Sequence, residues 1–232
     1  ALLLVLRNNV LWLVLGTIAT VGLGLIVAVL VDRIKVESLV KSMLFIPMAI
    51  SFVGAGVIWR LVYDYQTPDK TQTGLFNAIL SIFHIPPQAW LIDARFNNLA
   101  LILVYVWMTA GFCMVILSAA LKGIPDEIIE AARMDGANRF TLFWRIMIPM
   151  ISPTIGVVTT TVVIGILKIF DVVYVMTGGA FDTDVIARRF YEELFNNNNY
   201  GLASALAVLL LLTVIPIMYI NVRRIRREEA IR

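Results

Sequence analysis

Two carboxylates, Glu130 and Asp135, lie in residues 124–153, the one long stretch that mixes acids, bases and apolar residues at helical spacing. Nearly everything around that stretch is hydrophobic. Carboxylates act as general acid and base only when held in a fixed mutual geometry. Five residues apart, these two fall on different helical faces, and Gly136 follows the second, so the spacing defines no such pair. Other routes to catalysis are thinner. His84 is the one histidine and Cys113 the one cysteine, the latter inside an apolar run, so the sequence offers no intrachain disulfide and no dedicated metal site. There is no G-x-S-x-G elbow and no G-x-x-x-x-G-K-[ST] phosphate loop, so the chain has no such loop with which to hydrolyse ATP. A membrane enzyme using Glu130 and Asp135 stands as the rival to a non-catalytic reading in which the stretch docks a partner.

A second set of residues suits binding rather than catalysis. Tyr105, Thr109 and Phe112 follow i, i+4, i+7 spacing and share one helical face. Thr159, Thr160 and Thr161 come later, with Gly165 four residues after Thr161. Hydroxyls and aromatic faces are what a polar, hydroxylated solute needs inside hydrocarbon, where bare polar groups cost several kcal/mol. Threonine and glycine are also routine at helix contacts. Lys168 and Asp171, three apart, can pair on one face near the end of a span, where a lysine reaches the surface by snorkelling; we read them as structural.

What positions these residues is a membrane-grade chain. Of 232 residues, 60% are hydrophobic and 15% charged, against about 25% charged in a soluble domain. Long apolar runs without β-alternation predict an all-α polytopic bundle. Spans are expected at about residues 10–31, 42–63, 98–121, 154–176 and 200–220. In the first, Gly16, Thr20 and Gly24 recur on one face and read as ordinary close helix packing. Pro47 sits early in the second, where Gly54 and Gly56 mark a small-residue face or a bend. Residues 64–97 are polar and broken by prolines, with an amphipathic helix expected at about 74–83 and with Trp90 and Phe96 suited to an aromatic belt. Residues 177–199 read as a loop.

Lysines and arginines orient the chain. The link at 32–41, the 124–153 insert with Lys122 just before it, and the tail hold twelve, among them Arg33, Lys35, Lys41, Arg133 and the tail arginines; the opposite segments hold six. The richer side is expected to be cytoplasmic. Five alternating spans then put the first residue outside, which favours a further span upstream. The tail, RRIRREE, reads as an anchor near anionic lipid, and no aromatic-interleaved basic patch points to nucleic acid.

The insert itself predicts two short helices. Pro125 with Asp126 and Glu127 reads as a helix start, and residues 127–134 group Ile128, Ala131 and Ala132. Gly136 supplies a left-handed corner. A second helix, about 138–147, carries Phe140, Phe143 and Trp144, and Pro149 and Pro153 are expected to close it and reset the chain into the fourth span.

Glu130-Ala131-Ala132, then Asp135-Gly136-Ala137, then Ile148-Pro149 resemble the EAA loop of permease subunits in binding-protein-dependent ABC importers. The family pattern reads E-A-A, three residues, G, about nine residues, then I-x-L-P; here the close is I-M-I-P, with Ile148 where leucine is usual. The resemblance takes in Ile46-Pro47 and Thr177-Gly178-Gly179, and runs to sugar importers of the maltose and α-glucoside type, in the subunit similar to the larger maltose permease subunit. It implies a permease-type helical bundle with a coupling helix that docks into a cleft on an ATPase subunit, through Glu130, Ala131, Ala132, Asp135 and Gly136. It implies sugar-lining positions at Tyr105, Thr109, Phe112, Thr161, Ile164 and Gly165, with the family's polar contact at the last replaced by glycine. It further implies a second homologous permease, two ATP-binding subunits, an extracytoplasmic sugar-binding protein, and a prokaryotic cell membrane. ATP and Mg would be bound by the partner ATPase, and no cofactor by this chain.

Overall fold

The computed structural model describes residues 2–31 and 36–229. Arg33, Lys35 and Arg232 of the charge count lie outside the described residues, as do the side chains of Arg224, Arg226 and Arg227. Every regular element among the described residues is helical.

Helix α1 is Leu2–Val31, interrupted only by a π-turn at Trp12–Gly16. It starts well before the expected residue 10, because polar Asn8 and Asn9 do not end it. Both are buried and satisfied: Asn8 Nδ2 donates to the carbonyls of Asp182 and Asp184 at 2.7 and 2.9 Å, and Asn9 Nδ2 to that of Val5 at 2.9 Å. The expected second span is broken. Helix α2, Glu37–Phe45, runs on as a 3-10 turn, Ile46–Ala49; then Ile50 turns extended, and Ser51 caps helix α3, Phe52–Val62, by accepting from the Gly54 amide at 3.0 Å. The two halves meet at 102°. The bend falls at Ile50–Ser51 rather than at Gly54 or Gly56; Gly56 instead admits Val175.

Helix α4, Leu75–Ile82, is the short amphipathic element. Buried Asn77 ties it down, donating to the carbonyls of Asp64 and Gln88 and accepting from the Gln88 amide and Trp90 Nε1. Trp90 and Phe96 belong to the aromatic cluster around it, with Tyr63, Phe76 and Trp59. His84 has a left-handed backbone (φ 57°), and the Ile85 amide reaches back to the Leu80 carbonyl, so its local role is to end α4.

Helix α5, Asn97–Lys122, is the central element, with α1 and α7 against it. Helix α6 is Asp126–Met134. Helix α7 runs unbroken through Arg139–Leu167, so Pro149 and Pro153 do not reset the chain. A π-turn at Phe143–Met147, with the Ile148 amide bonded to the Phe143 carbonyl, lies just ahead of the two prolines and takes up the slack in the ladder. At its far end α7 stops at Leu167, short of the expected 176, and a separate helix α8, Asp171–Met176, packs on α3. Residues 177–199 are not all loop: helix α9, Ile186–Tyr191, continues as a π-turn through Asn196. Helix α10, Tyr200–Glu229, is the last described element.

Among the described residues α1, α5 and α7 are long and apolar enough to cross a membrane; the bent α2–α3 pair counts as a fourth if taken as one span, and Tyr200–Pro216 is a shorter apolar stretch. Small residues let α1 and α2 approach α5 closely. A Cβ on Gly24 would meet the Cys113 Cβ at 2.5 Å, and one on Gly111 the Leu44 carbonyl at 2.2 Å. Cys113 is thus a packing residue.

Candidate functional site

The insert folds into a projecting corner joining the ends of α5 and α7. Pro125 is the residue before α6, and Asp126 and Glu127 fill its first turn, where the helix dipole favours anions. The helix ends in a Schellman turn: Gly136 (φ 82°) donates to the Arg133 carbonyl and Ala137 to that of Ala132, both at 3.0 Å. Asn138 Oδ1 then caps α7 by accepting from the Thr141 amide at 2.8 Å. The buried face of α6 is Ile129 and Ala132. Ile128 and Ala131, expected to group with Ala132, lie on the exposed side with Glu130, Asp135 and Gly136. The helix winds about 100° per residue, so the stripe that meets the bundle is one residue removed from the expected one. The outer surface is consequently apolar at key points, with Met134 88% and Phe140 73% exposed beside Trp144. Glu127, Glu130, Ala131, Arg133 and Met134 line an open shallow surface there.

Sequence reasoning missed what braces this corner. Glu37 Oε1 accepts from Lys41 Nζ at 2.5 Å and from Lys122 Nζ at 2.6 Å, and Lys41 also donates to Ser118. The start of α2 is therefore clasped to the last turn of α5, just before α6. Charges in the 32–41 link were the only signal.

At the opposite end of α7, a cavity of about 330 Å³ opens between α3, α5, α7 and α8. Tyr105, Thr109, Phe112, Thr161 and Gly165 line it; Ile164 is half-buried and is not part of its wall. Tyr105 is held between neighbours: Phe52 stacks on it at 6.0 Å, Trp12 meets it edge-on at 6.1 Å, and its hydroxyl points to the Val162 carbonyl at 3.4 Å. Thr109 and Thr161 donate back to the carbonyls of Tyr105 and Val157. Met48, Phe52 and Phe170 complete the wall. The first two arrive because the second span bends; Ser51, a strong N-cap type ahead of an apolar run, was the available sign. Lys168 and Asp171 also face the cavity. They are not on one helical face, since α7 ends between them, and no ion pair joins them among the described residues.

A long-helix bundle with a capped external corner at one end and a cavity at the other is the setting in which relatives are informative. Residues 20–227 match the family described as binding-protein-dependent transport system inner membrane component. The chain belongs to that family. The permease is 54% identical over 226 residues to the osmoprotective compounds uptake permease protein GgtC of Synechocystis sp., covering 97% of this chain and 81% of that protein. It is 46% identical over 223 residues to the alpha-glucoside transport system permease protein AglF of Rhizobium meliloti, covering 96% of this chain and 66% of that one. Its fold matches a bacterial alginate ABC transporter in complex with alginate pentasaccharide-bound periplasmic protein, with TM-score 0.78 and 24% identity over 97% of this chain and 76% of that chain. The permease is a transport component of the inner membrane, not an enzyme, which removes the catalytic reading of Glu130 and Asp135. Importer permeases of this kind work with a second permease, ATPase subunits and a periplasmic binding protein.

Proposed function

We propose that this permease forms half of the pathway of an ATP-driven importer for carbohydrates of the α-glucoside type. The observation that carries the reading is the cavity wall: aromatic faces from Phe52, Tyr105 and Phe112 alternate with the hydroxyls of Thr109 and Thr161. A sugar presents C–H surface and hydroxyls, and such a wall meets both in a low-dielectric setting. Of the relatives, AglF is named for alpha-glucoside transport and GgtC for uptake of osmoprotective compounds. Alternation of access would proceed by a shift between two helix packings, driven at one face by a sugar-loaded receptor and at the other by ATP.

The coupling helix in this reading is α6. Its exposed face, Glu130 and Ala131 with Met134, projects from a rigid capped corner and suits a groove on a soluble subunit. Asp135 and Gly136 shape the turn that presents it. ATP and Mg belong to two partner ATPase subunits, a second permease completes the cavity, and an external sugar-binding protein delivers the solute.

Reconstitution with the partner permease, the ATPase and the receptor tests this. ATP hydrolysis is expected to rise with receptor loaded with an α-glucoside, and labelled sugar to accumulate in the vesicles. Hydrolysis indifferent to every sugar-loaded receptor overturns the carbohydrate reading. Uptake and assembly that both survive Glu130→Ala together with Gly136→Pro overturn the coupling role of α6.

A further inference from the structure

The cavity wall continues past Phe170. Phe170 stacks on Tyr174 with ring centroids 5.0 Å apart and planes 20° apart. Tyr191 meets both, at 5.1 and 5.4 Å, and Phe195 follows Tyr191 at 4.8 Å. The four rings thus lead from a cavity-lining residue, along α8 and α9, to a side chain 60% exposed. None of the four is buried. The inner tyrosines behave differently. Tyr63 and Tyr105 are buried, and each directs its hydroxyl to a backbone carbonyl. Among the described residues the hydroxyls of Tyr174 and Tyr191 make no hydrogen bond, although an unburied phenol is a ready donor and acceptor.

Lipid tails do not suit this surface, because charged and amide side chains share its helix. Glu192 accepts from Arg188 and from Asn196, each at 3.0 Å. The same charges make the platform rigid. Arg188 pairs with Asp184 at 3.3 Å, and Arg189 pairs at 2.6 Å with Glu193, which is itself buried. Rings fixed in this way lose little freedom when something stacks on them. Open aromatic edges and faces, unbonded phenols, and a nearby carboxylate and amide together match a pyranose, whose C–H face stacks on rings while its hydroxyls exchange hydrogen bonds at the rim.

We propose that Phe170, Tyr174, Tyr191 and Phe195 form an outer binding track for the sugar, along which it passes between the external receptor and the cavity. The proposal rests on the carbohydrate reading above and adds to it a site outside the cavity. Continuity through Phe170 is what commits the track to the transported solute.

The complete transporter, reconstituted in liposomes with its receptor, provides the test, with a panel of labelled α-glucosides (maltose, trehalose and sucrose) as probes. Tyr191→Leu and Phe195→Leu keep apolar bulk and remove the ring; Tyr191→Phe and Phe195→Tyr keep the ring. The leucine variants are expected to cut uptake at limiting sugar about three- to tenfold, the scale of one aromatic contact. Receptor-stimulated ATP hydrolysis should persist, so that less sugar moves per ATP, and the aromatic variants should restore transport. Unchanged sugar per ATP in the leucine variants overturns the track while leaving the carbohydrate reading intact. Loss of the second permease from complexes carrying the leucine variants also overturns it, by making this face a subunit contact. A wild-type complex whose hydrolysis responds to no sugar-loaded receptor overturns both.

Discussion

Tyr105 and Gly165 meet in the cavity wall so closely that a Cβ on Gly165 would lie 2.6 Å from the Tyr105 hydroxyl oxygen. Glycine here is what allows the phenol to sit over α7. Gly165→Ala is therefore expected to push Tyr105 off its Phe52 stack and to cost about 1–3 kcal/mol in a well-packed wall. Tyr105→Phe removes the colliding oxygen, so the double variant should recover part of the loss. Uptake and thermal unfolding of the four proteins in this cycle give the check; strictly additive effects would show that the two residues do not meet.

Glycines of α1 make a sharper pair, since two of them differ only in surroundings. Gly24 abuts α5, with the Cys113 Cβ at 2.5 Å and the Met114 amide nitrogen at 3.0 Å from an added Cβ, whereas Gly22 has nothing within 4 Å. Gly24→Ala should destabilise by about 1–3 kcal/mol through overpacking. Gly22→Ala should stabilise by about 0.5–1 kcal/mol through helix propensity. Melting temperatures in detergent, measured side by side, should move in opposite directions.

Much of this was legible from composition and spacing. Apolar runs located the long helices, and the repeat of Gly16, Thr20 and Gly24 identified the packing face of α1. Gly136, whose lack of Cβ permits a left-handed turn, marked the corner. The misses share a physical origin: windows of hydropathy register solvent preference, not backbone continuity. The first span was expected to start at about residue 10, yet the helix runs on through Asn8 and Asn9, whose amides are satisfied by carbonyls, one set 174 and more residues away. Pro149 read as a stop, yet a preceding π-turn absorbs it. No glycine or proline follows the stop at Leu167 to signal it; the chain leaves the helix through a tight turn, with the Lys168 amide on the Gly165 carbonyl and the Ile169 amide on that of Ile166. That is also why Phe170 and Asp171 were not recognised as wall residues.

Acid should loosen one loop, ahead of α5, in a defined window. The Arg95 guanidinium, and then the Arg95 amide, hold the Asp93 carboxyl at about 2, below its ordinary 3.8. The Asp93 carbonyl in turn receives the Phe96 and Asn97 amides at the start of α5. A depressed carboxylate contributes stability that is present above the unfolded value and lost as pH falls through the folded one. Pepsin cleavage near Phe96 should thus stay constant from about pH 5 to 4 and rise from about 4 to 2. In Asp93→Asn the rise should be absent.

The clasp of Glu37 with Lys122 is open to solvent, so it is weak and should weaken further with salt. Its position matters more than its strength, because it holds the last turn of α5 just ahead of α6. Glu37→Gln is expected to leave ATP hydrolysis running while sugar moved per ATP drops about two- to fivefold. Raising ionic strength should bring wild type toward the variant and leave the variant unmoved. An equal salt response in both proteins would remove the clasp from the coupling path.

Gly136 gives the most direct test of how the corner presents α6. Its φ of 82° lies where L side chains are disfavoured, yet nothing stands within 4 Å of an added Cβ. Any penalty for substitution is then one of backbone conformation alone. Alanine should cost about 1–2 kcal/mol, and asparagine less, because its short polar side chain tolerates the left-handed region. Valine, branched at Cβ, should be worst. If the Schellman turn sets the angle at which Glu130 and Ala131 meet the ATPase, coupled uptake will fall in the order Gly, Asn, Ala, Val, and affinity for the ATPase subunit will fall in step. Asparagine and valine variants with the same uptake and the same ATPase affinity would mean that the corner bends freely, and α6 would then be a tether rather than a lever.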